Sequence, residues 1–390
     1  MGLVEWGLIV GVAVLIVAVL WFVLRQRPEA AVQEDDYTRG LELWLSGERP
    51  AAVEAMRRAV AGSPESVDPY LQLGLFLRQS GDARRAAALH RGLAARPGLD
   101  RAKRTSVALA LAEDLNDLGR WDESRSLLDD IQKRKPSMPR FWHARFRQWQ
   151  GQGDPDAAAR ALREAVRRVD AEHQESFQRR HQLFLLDRAL DAIRKDTPRE
   201  AHRFLKDVSD DGPYAARVAH VRALIRLGDG EHEKAAEIAT SGLLQAPEES
   251  ELLLPVLQKA LLESGRYERT IPILESACQS ELAPASLWIA LALLHEKVGD
   301  REMAVRLLES KSGDERLTLA AAAPFLRILV HDLPDSDFTR IWDALHTRTG
   351  QVIWHCHECG ATYDEVRWYC PACNAFDGVE PGPARTTVSG

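Results

Sequence analysis

The stretch "LGLFLRQSGDARRAAALHRGLAARP", Leu73–Pro97, carries the reading of the whole chain. Leu73-Gly74 belongs to one helix, Gly81-Asp82 to a turn, Ala86 and Leu93 to a second helix, and Pro97 to its stop. The turn glycine can be followed outward as Gly47, Gly81, Gly119, Gly153, Gly230, Gly265 and Gly299, at spacings of 34, 38, 34, 77, 35 and 34. Five residues after each turn comes a small or short side chain: Ala52, Ala86, Ser124, Ala158, Ala235, Thr270 and Ala304. The gap of 77 leaves room for one further unit without a turn glycine, containing "DTPREAHRFL" with Ala201 at the small position. Prolines close several units, at Pro64, Pro97, Pro136 and Pro247. A period near 34 marks a stack of paired helices, each covering its neighbour's apolar face.

The unit resembles the tetratricopeptide repeat (TPR), with its Leu-Gly pair, turn glycine, small residue in the second helix and late proline. The resemblance implies an all-α, right-handed superhelical solenoid of about eight repeats over 37–312. Its groove would hold a peptide or another protein, and the array would carry no catalytic constellation of its own. "RLTLAAAAPFLRILVHDL" and "FTRIWDALHTRTG" predict two further helices over 313–350 that cap the stack.

Composition is that of a globular chain: 45% apolar, 28% charged, net charge −7 in 390 residues. That charge argues against a general nucleic-acid binder. The N-terminus differs. "GLIVGVAVLIVAVLWFVL", Gly7–Leu24, has no charged residue and is long enough, at roughly 27 Å as a helix, to span a bilayer. Trp6, Trp21 and Phe22 stand near its ends, and Arg25 and Arg27 follow it while nothing basic precedes it. Residues 1–27 are therefore expected to be a membrane anchor, 28–36 a linker, and the rest of the chain to face the cytoplasm.

Within the repeats, Lys133–His181 carries twelve Lys or Arg against six Asp or Glu. Arg163, Arg167 and Arg168 are its candidate docking patch for an acidic partner or for membrane headgroups; a solvated basic face is the simpler account. Trp142, Phe146 and Trp149 form a stripe at i, i+4, i+7 that reads as core of its helix.

Four of the five cysteines fall within "CHECGATYDEVRWYCPACN". Cys356-x2-Cys359 and Cys370-x2-Cys373 are two pairs able to deliver four thiolates to one tetrahedral ion. In each pair the backbone N–H groups should point at the sulfurs, and the residue after it, Gly360 or Asn374, should accept a left-handed turn. So short a segment, 351–380, seldom folds on its own core, so metal should order it. The ion is iron or zinc. Protein fills all four positions, so hydrolysis at the metal is not expected. Trp354, Tyr363, Trp368, Tyr369 and Phe376 should supply the module's packing and its seam against the last helices. Residues 381–390 are expected to be a disordered tail. Cys278 stands alone in a repeat helix and reads as a small buried apolar residue.

The order of anchor, repeats and a rubredoxin-like or zinc-ribbon tail with C-x2-C-G … W-x-C-P-x-C resembles the lipopolysaccharide assembly protein B family across essentially the whole chain. The resemblance implies a non-enzymatic adaptor on the cytoplasmic side of the inner membrane. It implies promotion of proteolysis of the lipid A pathway deacetylase by the membrane protease FtsH, and organisation of lipopolysaccharide synthesis enzymes. By the same resemblance Cys356, Cys359, Cys370 and Cys373 are the metal ligands. Asn374 departs from a glycine-ending second knuckle. Two other readings remain open: an electron-transfer protein using a four-thiolate iron, and a TPR scaffold for a different complex.

Overall fold

The computed structural model describes residues 36–134, 136–209, 212–309 and 352–383. The expected anchor, the expected helices of 313–350 and residues 384–390 lie outside the described residues. Among the described residues no helix is long and apolar enough to cross a membrane. The chain divides into two compact units, 1–175 and 176–390.

The first unit holds α1 (residues 36–45), α2 (Arg49–Gly62), α3 (Asp68–Gln79), α4 (Ala83–Ala94), α5 (Arg101–Asp117), α6 (Trp121–Gln132), α7 (Pro139–Gly151) and α8 (Pro155–Arg168). They form four helix–turn–helix pairs. At the turn of α3 and α4, Gly81 takes φ +88°, its N–H reaches Arg78 O, and Asp82 N–H reaches back to Leu77 O. That is the left-handed closure which satisfies the last carbonyls of a helix. Asp82 then caps the next helix by accepting from Arg85 N–H at 3.1 Å, and Asp154 does the same with Ala157 N–H at 2.8 Å. One Gly-Asp dipeptide thus ends one helix and starts another.

The small positions are where the helices touch. Ala52, Ala86, Ser124 and Ala158 are completely buried. Trp44 stacks on Phe76 beside Ala52, Met56 and Leu73. Gly74 has a separate reason to be glycine: a Cβ there would lie 2.2 Å from His90 Nε2. His90 itself is buried, with Nδ1 2.5 Å from Asp114 Oδ2. Burial raises the Asp114 pKa, against the pull of His90 and Arg78. Trp142 and Phe146 are core, as their spacing predicts, while Trp149 is half-buried between the guanidinium groups of Arg125 and Arg145.

The second unit begins within α9 (Ala171–Arg194) and continues with α10 (Pro198–Leu205), α11 (Ala215–Gly228), α12 (His232–Gln245), α13 (Ser250–Glu263), α14 (Thr270–Ala277), α15 (Ala285–Lys297) and α16 (Arg301–Glu309). The unit lacking a turn glycine is α9–α10. Asp196 makes its turn, at φ +54°, with Asp196 N–H bonded to Ile193 O and Thr197 N–H to Ala192 O. This repeats the Gly81 pattern, and aspartate is among the side chains that tolerate the left-handed region. Five residues later Ala201 is fully buried, like Ala235 and Ala304. Counted through Asp196, the gap of 77 divides into 43 and 34; the extra length sits in α9, which runs 24 residues. Leu253, Leu257, Leu274, Leu287 and Leu291 fill the core around α12 and α13, and Cys278 is buried beside them.

The C-terminal segment is a three-stranded antiparallel sheet in the order β2–β1–β3, made of β1 (Val352–Cys356), β2 (Thr362–Tyr363) and β3 (Val379–Pro383). The sheet runs past the expected boundary at 380, because β3 pairs Pro383 with Val352. Prolines lack the N–H for a ladder yet still accept through their carbonyls, which suits an edge strand such as β3.

Candidate metal centre and its seam with the repeats

Two short loops build the centre, and they are near copies. In the first, Gly360 N–H donates to Cys356 O at 2.8 Å and Cys356 N–H to Ala361 O at 2.9 Å. In the second, Asn374 N–H donates to Cys370 O and Cys370 N–H to Ala375 O, both at 2.8 Å. Gly360 and Asn374 both take positive φ, +72° and +64°. Asn374 is steadied there by its side chain, whose Oδ1 accepts from the Tyr369 hydroxyl. A polar residue that accepts the left-handed region and can be pinned from outside replaces glycine without changing the loop.

These loops bring the four sulfurs within 4.8 Å of one another. Cys356 Sγ lies 3.6 Å from Cys373 Sγ, and Cys359 Sγ lies 3.7 Å from Cys370 Sγ. None is in a disulfide, whose S–S distance is about 2 Å. A tetrahedral ion about 2.3 Å from each sulfur requires separations near 3.8 Å, so the donor set and its spacing fit a four-thiolate ion. Backbone N–H groups also face the sulfurs: those of Glu358 and Cys359 toward Cys356, and those of Ala372 and Cys373 toward Cys370. At Cys356 burial wins and the thiol pKa rises. Burial also acts upward at Cys370, but the Tyr363 hydroxyl at 3.0 Å and the loop N–H groups outweigh it and bring the thiol down to about 7.

The module's aromatic residues pack within it, Tyr369 on Phe376 at 4.9 Å and Trp354 and Tyr363 against Cys356, Cys370 and Val379, and they also reach the repeats. The described seam runs to α9 and α11; the last helices, against which the sequence places a seam, lie outside the described residues. Tyr369 and Trp368 are buried; Tyr369 meets Phe184 edge-on at 5.7 Å, and Trp368 meets His220 edge-on at 6.4 Å. The Arg180 and Arg217 guanidinium groups sit over Phe376 and Trp368. Charge locks the same seam. Asp187, completely buried on α9, accepts from Trp368 N–H at 3.3 Å and pairs with Arg188 at 3.0 Å and Arg367 at 3.5 Å. Arg194 donates to Val366 O and pairs with Glu365, and Arg217 pairs with Asp377 at 2.5 Å. Burial raises the Asp187 pKa while Arg188 and Arg367 act against it. Burial also lowers His220 to about 4, so near neutrality its Nδ1–H donates to Leu252 O at 2.7 Å.

Sequence reasoning missed these seam residues on the helix side. One signal existed: Asp187 is a lone acid inside "LFLLDRAL", where every near neighbour but Arg188 is apolar. Of the basic patch, Arg167 and Arg168 both bond to Glu164 on their own helix α8, at 3.4 and 3.1 Å, and Arg163 lies half-buried on the same helix. His355 and His357 stand outside the sulfur cluster, His357 facing Glu380 at 3.2 Å.

No protein-family model matches the chain. Along nearly its whole length it is similar to lipopolysaccharide assembly protein B of Escherichia coli strain K12, with 21% identity over 382 residues, covering 93% of this chain and 94% of the relative. It is similar in the same way to lipopolysaccharide assembly protein B of Haemophilus influenzae, with 21% identity over 369 residues and 89% of each chain. Among solved structures it resembles a thermophilic TPR protein of Thermus thermophilus, at 18% identity and TM-score 0.32, covering 59% of this chain and 99% of that one. It also resembles a tetratricopeptide repeat protein of Parabacteroides merdae, at 12% identity and TM-score 0.28, covering 77% and 99%. Such scores are too low to bear on function.

Proposed function

We propose that this chain is a TPR adaptor in lipopolysaccharide assembly, held at the inner membrane by residues 7–24, whose metal-ordered tail is a working part of the repeat array. One observation carries the reading furthest: the four-cysteine module is keyed into repeat helices α9 and α11 through Asp187, Arg194 and Arg217. An ion that orders the module therefore stabilises the repeat surface beneath it. Cys356, Cys359, Cys370 and Cys373 are the proposed ligands, for iron or zinc. The sulfur spacing supports a bound ion, and the near full-length likeness to lipopolysaccharide assembly protein B supports the process served.

The finer reading is that the repeats bring the lipid A pathway deacetylase to FtsH, and that the Arg163, Arg167, Arg168 face of α8 docks an acidic partner. A membrane anchor favours such traffic by raising the local concentration of client and protease at one surface. The test joins both levels. In cells carrying the Cys356→Ser, Cys359→Ser pair, the metal content of the purified chain and the half-life of the deacetylase are measured together. Loss of the ion with a lengthened half-life supports the adaptor. A metal-free chain that still sustains normal turnover refutes the structural role assigned to the ion.

A further inference from the structure

The metal module and the repeats enclose a cavity of about 390 Å³ between them. Its repeat side is Arg217 of α11, the turn residues Glu248 and Glu249, and Glu251 of α13. Its module side is Trp354, Trp368, Asp377 and Glu380. Five carboxylates therefore share the lining with one guanidinium. Three of the five are engaged: Asp377 and Glu249 pair with Arg217 at 2.5 and 3.6 Å, and Glu380 faces His357 at 3.2 Å. Glu248 and Glu251 make no ion pair among the described residues. Partial burial of its carboxyl and the charge of Glu249 raise the Glu251 pKa, as expected of an acid beside a like charge and without a cation of its own. Trp354 is half-buried on Cys356, Cys370 and Val379, and no cation or second ring lies over it among the described residues.

We propose that this cavity binds a basic side chain, arginine or lysine, presented by a partner protein. The cation lies over Trp354, with Glu248 and Glu251 as its counter-charges. The chain supplies its own precedent at the neighbouring ring, where the Arg217 guanidinium lies 5.8 Å from the Trp368 centroid and pairs with Asp377 and Glu249. An aromatic face attracts a cation through its quadrupole, and partly desolvated carboxylates strengthen the pair. A bare metal ion does not fit. Among the described residues only the four cysteines bring three or more ligand atoms close enough to share one. Size agrees: drug-sized ligands occupy about 300–1,000 Å³, so this space admits one long side chain and its flanking backbone. Both walls contribute, so the site is whole only while the module is seated on the repeats. The inference rests on the adaptor reading and names the chemistry of one of its partners.

The test uses the full chain in detergent micelles at about 0.15 M salt, where exposed charges are screened. The probe is a nonapeptide of glycine and serine with two arginines, carrying an uncharged fluorophore. A control peptide replaces both arginines by citrulline, which keeps the shape and removes the charge. Fluorescence anisotropy should show saturable binding of the arginine peptide and about tenfold weaker binding of the control, the change expected from losing one charge-assisted contact. The Glu248→Gln, Glu251→Gln pair should weaken the arginine peptide about tenfold or more. Glu237→Gln, at an exposed site on α12 outside the cavity, should leave it unchanged. Because Glu248 and Glu251 are exposed and unpaired, nearly unchanged thermal melting is expected for the pair. Trp354→Leu, which keeps an apolar side chain on the module, should weaken binding about threefold or more.

Absence of binding at about 0.3 mM chain overturns the proposal, as does equal binding of the citrulline peptide or indifference to the glutamate pair. A Trp354→Leu chain that holds its ion and binds like the parent overturns it too. Cosedimentation with phosphatidylethanolamine vesicles that depends on Glu251, without peptide binding, overturns it in favour of a lipid ammonium. Absence of peptide binding in a chain whose deletion slows deacetylase turnover overturns this inference alone. Peptide binding by a chain whose deletion leaves turnover unchanged supports the cavity and removes the adaptor reading.

Discussion

Asp187→Ala removes the carboxylate on which the seam converges. The side chain is completely buried, and it serves Trp368 N–H at 3.3 Å, Arg188 at 3.0 Å and Arg367 at 3.5 Å. Breaking a buried pair by deleting one partner costs about 3–5 kcal/mol. Arg188 and Arg367 keep about a fifth of their side-chain surface in water and can turn outward, which argues for the lower end, about 3 kcal/mol. Asp187→Asn keeps an acceptor for Trp368 and should cost about 1–2 kcal/mol. Urea denaturation of the full chain gives both numbers. Hydrogen exchange locates them: if the loss falls on the seam, amides near Trp368 should exchange about a hundredfold faster in Asp187→Ala, with α3 and α4 unchanged. A loss below about 0.5 kcal/mol with unaltered exchange at 365–370 would refute the claim that α9 holds the module.

Three further outcomes are expected. Asp196→Gly should be neutral or stabilise by up to about 1 kcal/mol, since the left-handed turn at φ +54° then carries no side chain, while Asp196→Val should cost about 1–2 kcal/mol; thermal melts decide. Gly74→Ala should destabilise by about 3 kcal/mol by driving His90 off Asp114, and much less in a His90→Ala background, so a double-mutant cycle should return a large coupling. The third concerns pH. His220 titrates at about 4 when folded against 6.5 as an unperturbed group, so the unfolded chain binds the extra proton between those values. Its contribution is complete above about pH 6.5 and falls by up to about 3 kcal/mol as pH drops to 4. Asp187, raised by burial, works with the opposite sign. The difference between the parent and His220→Gln isolates the histidine, and identical pH slopes would contradict a buried neutral imidazole.

Much of the architecture could be read from local features. Turn glycines and small residues at fixed offsets reveal a helix pair because both obey rules internal to a few residues: one closes a helix, the other permits two helices to meet. The cysteine spacing was legible for the same reason, since a C-x2-C loop, its N–H groups and the left-handed residue after it are all local. Even Asn374, an apparent departure, makes the same turn as Gly360. The unit without a glycine was located by its spacing, but the residue that turns the chain was not, because aspartate rarely takes that role and only the backbone angle distinguishes Asp196.

The seam is the opposite case. Nothing local ties Trp368 to Asp187, 181 residues away, or Asp377 to Arg217, 160 residues away. Aromatic residues in a module too small to bury them announce that some surface must cover them, and sequence stops there. Sequence alone therefore determined the repeat, its phase and the cluster of thiols, each dictated by neighbours along the chain. Tertiary structure alone decided which of the described helices the module covers, because burial and charge pairing are settled among groups that meet only after the chain has folded.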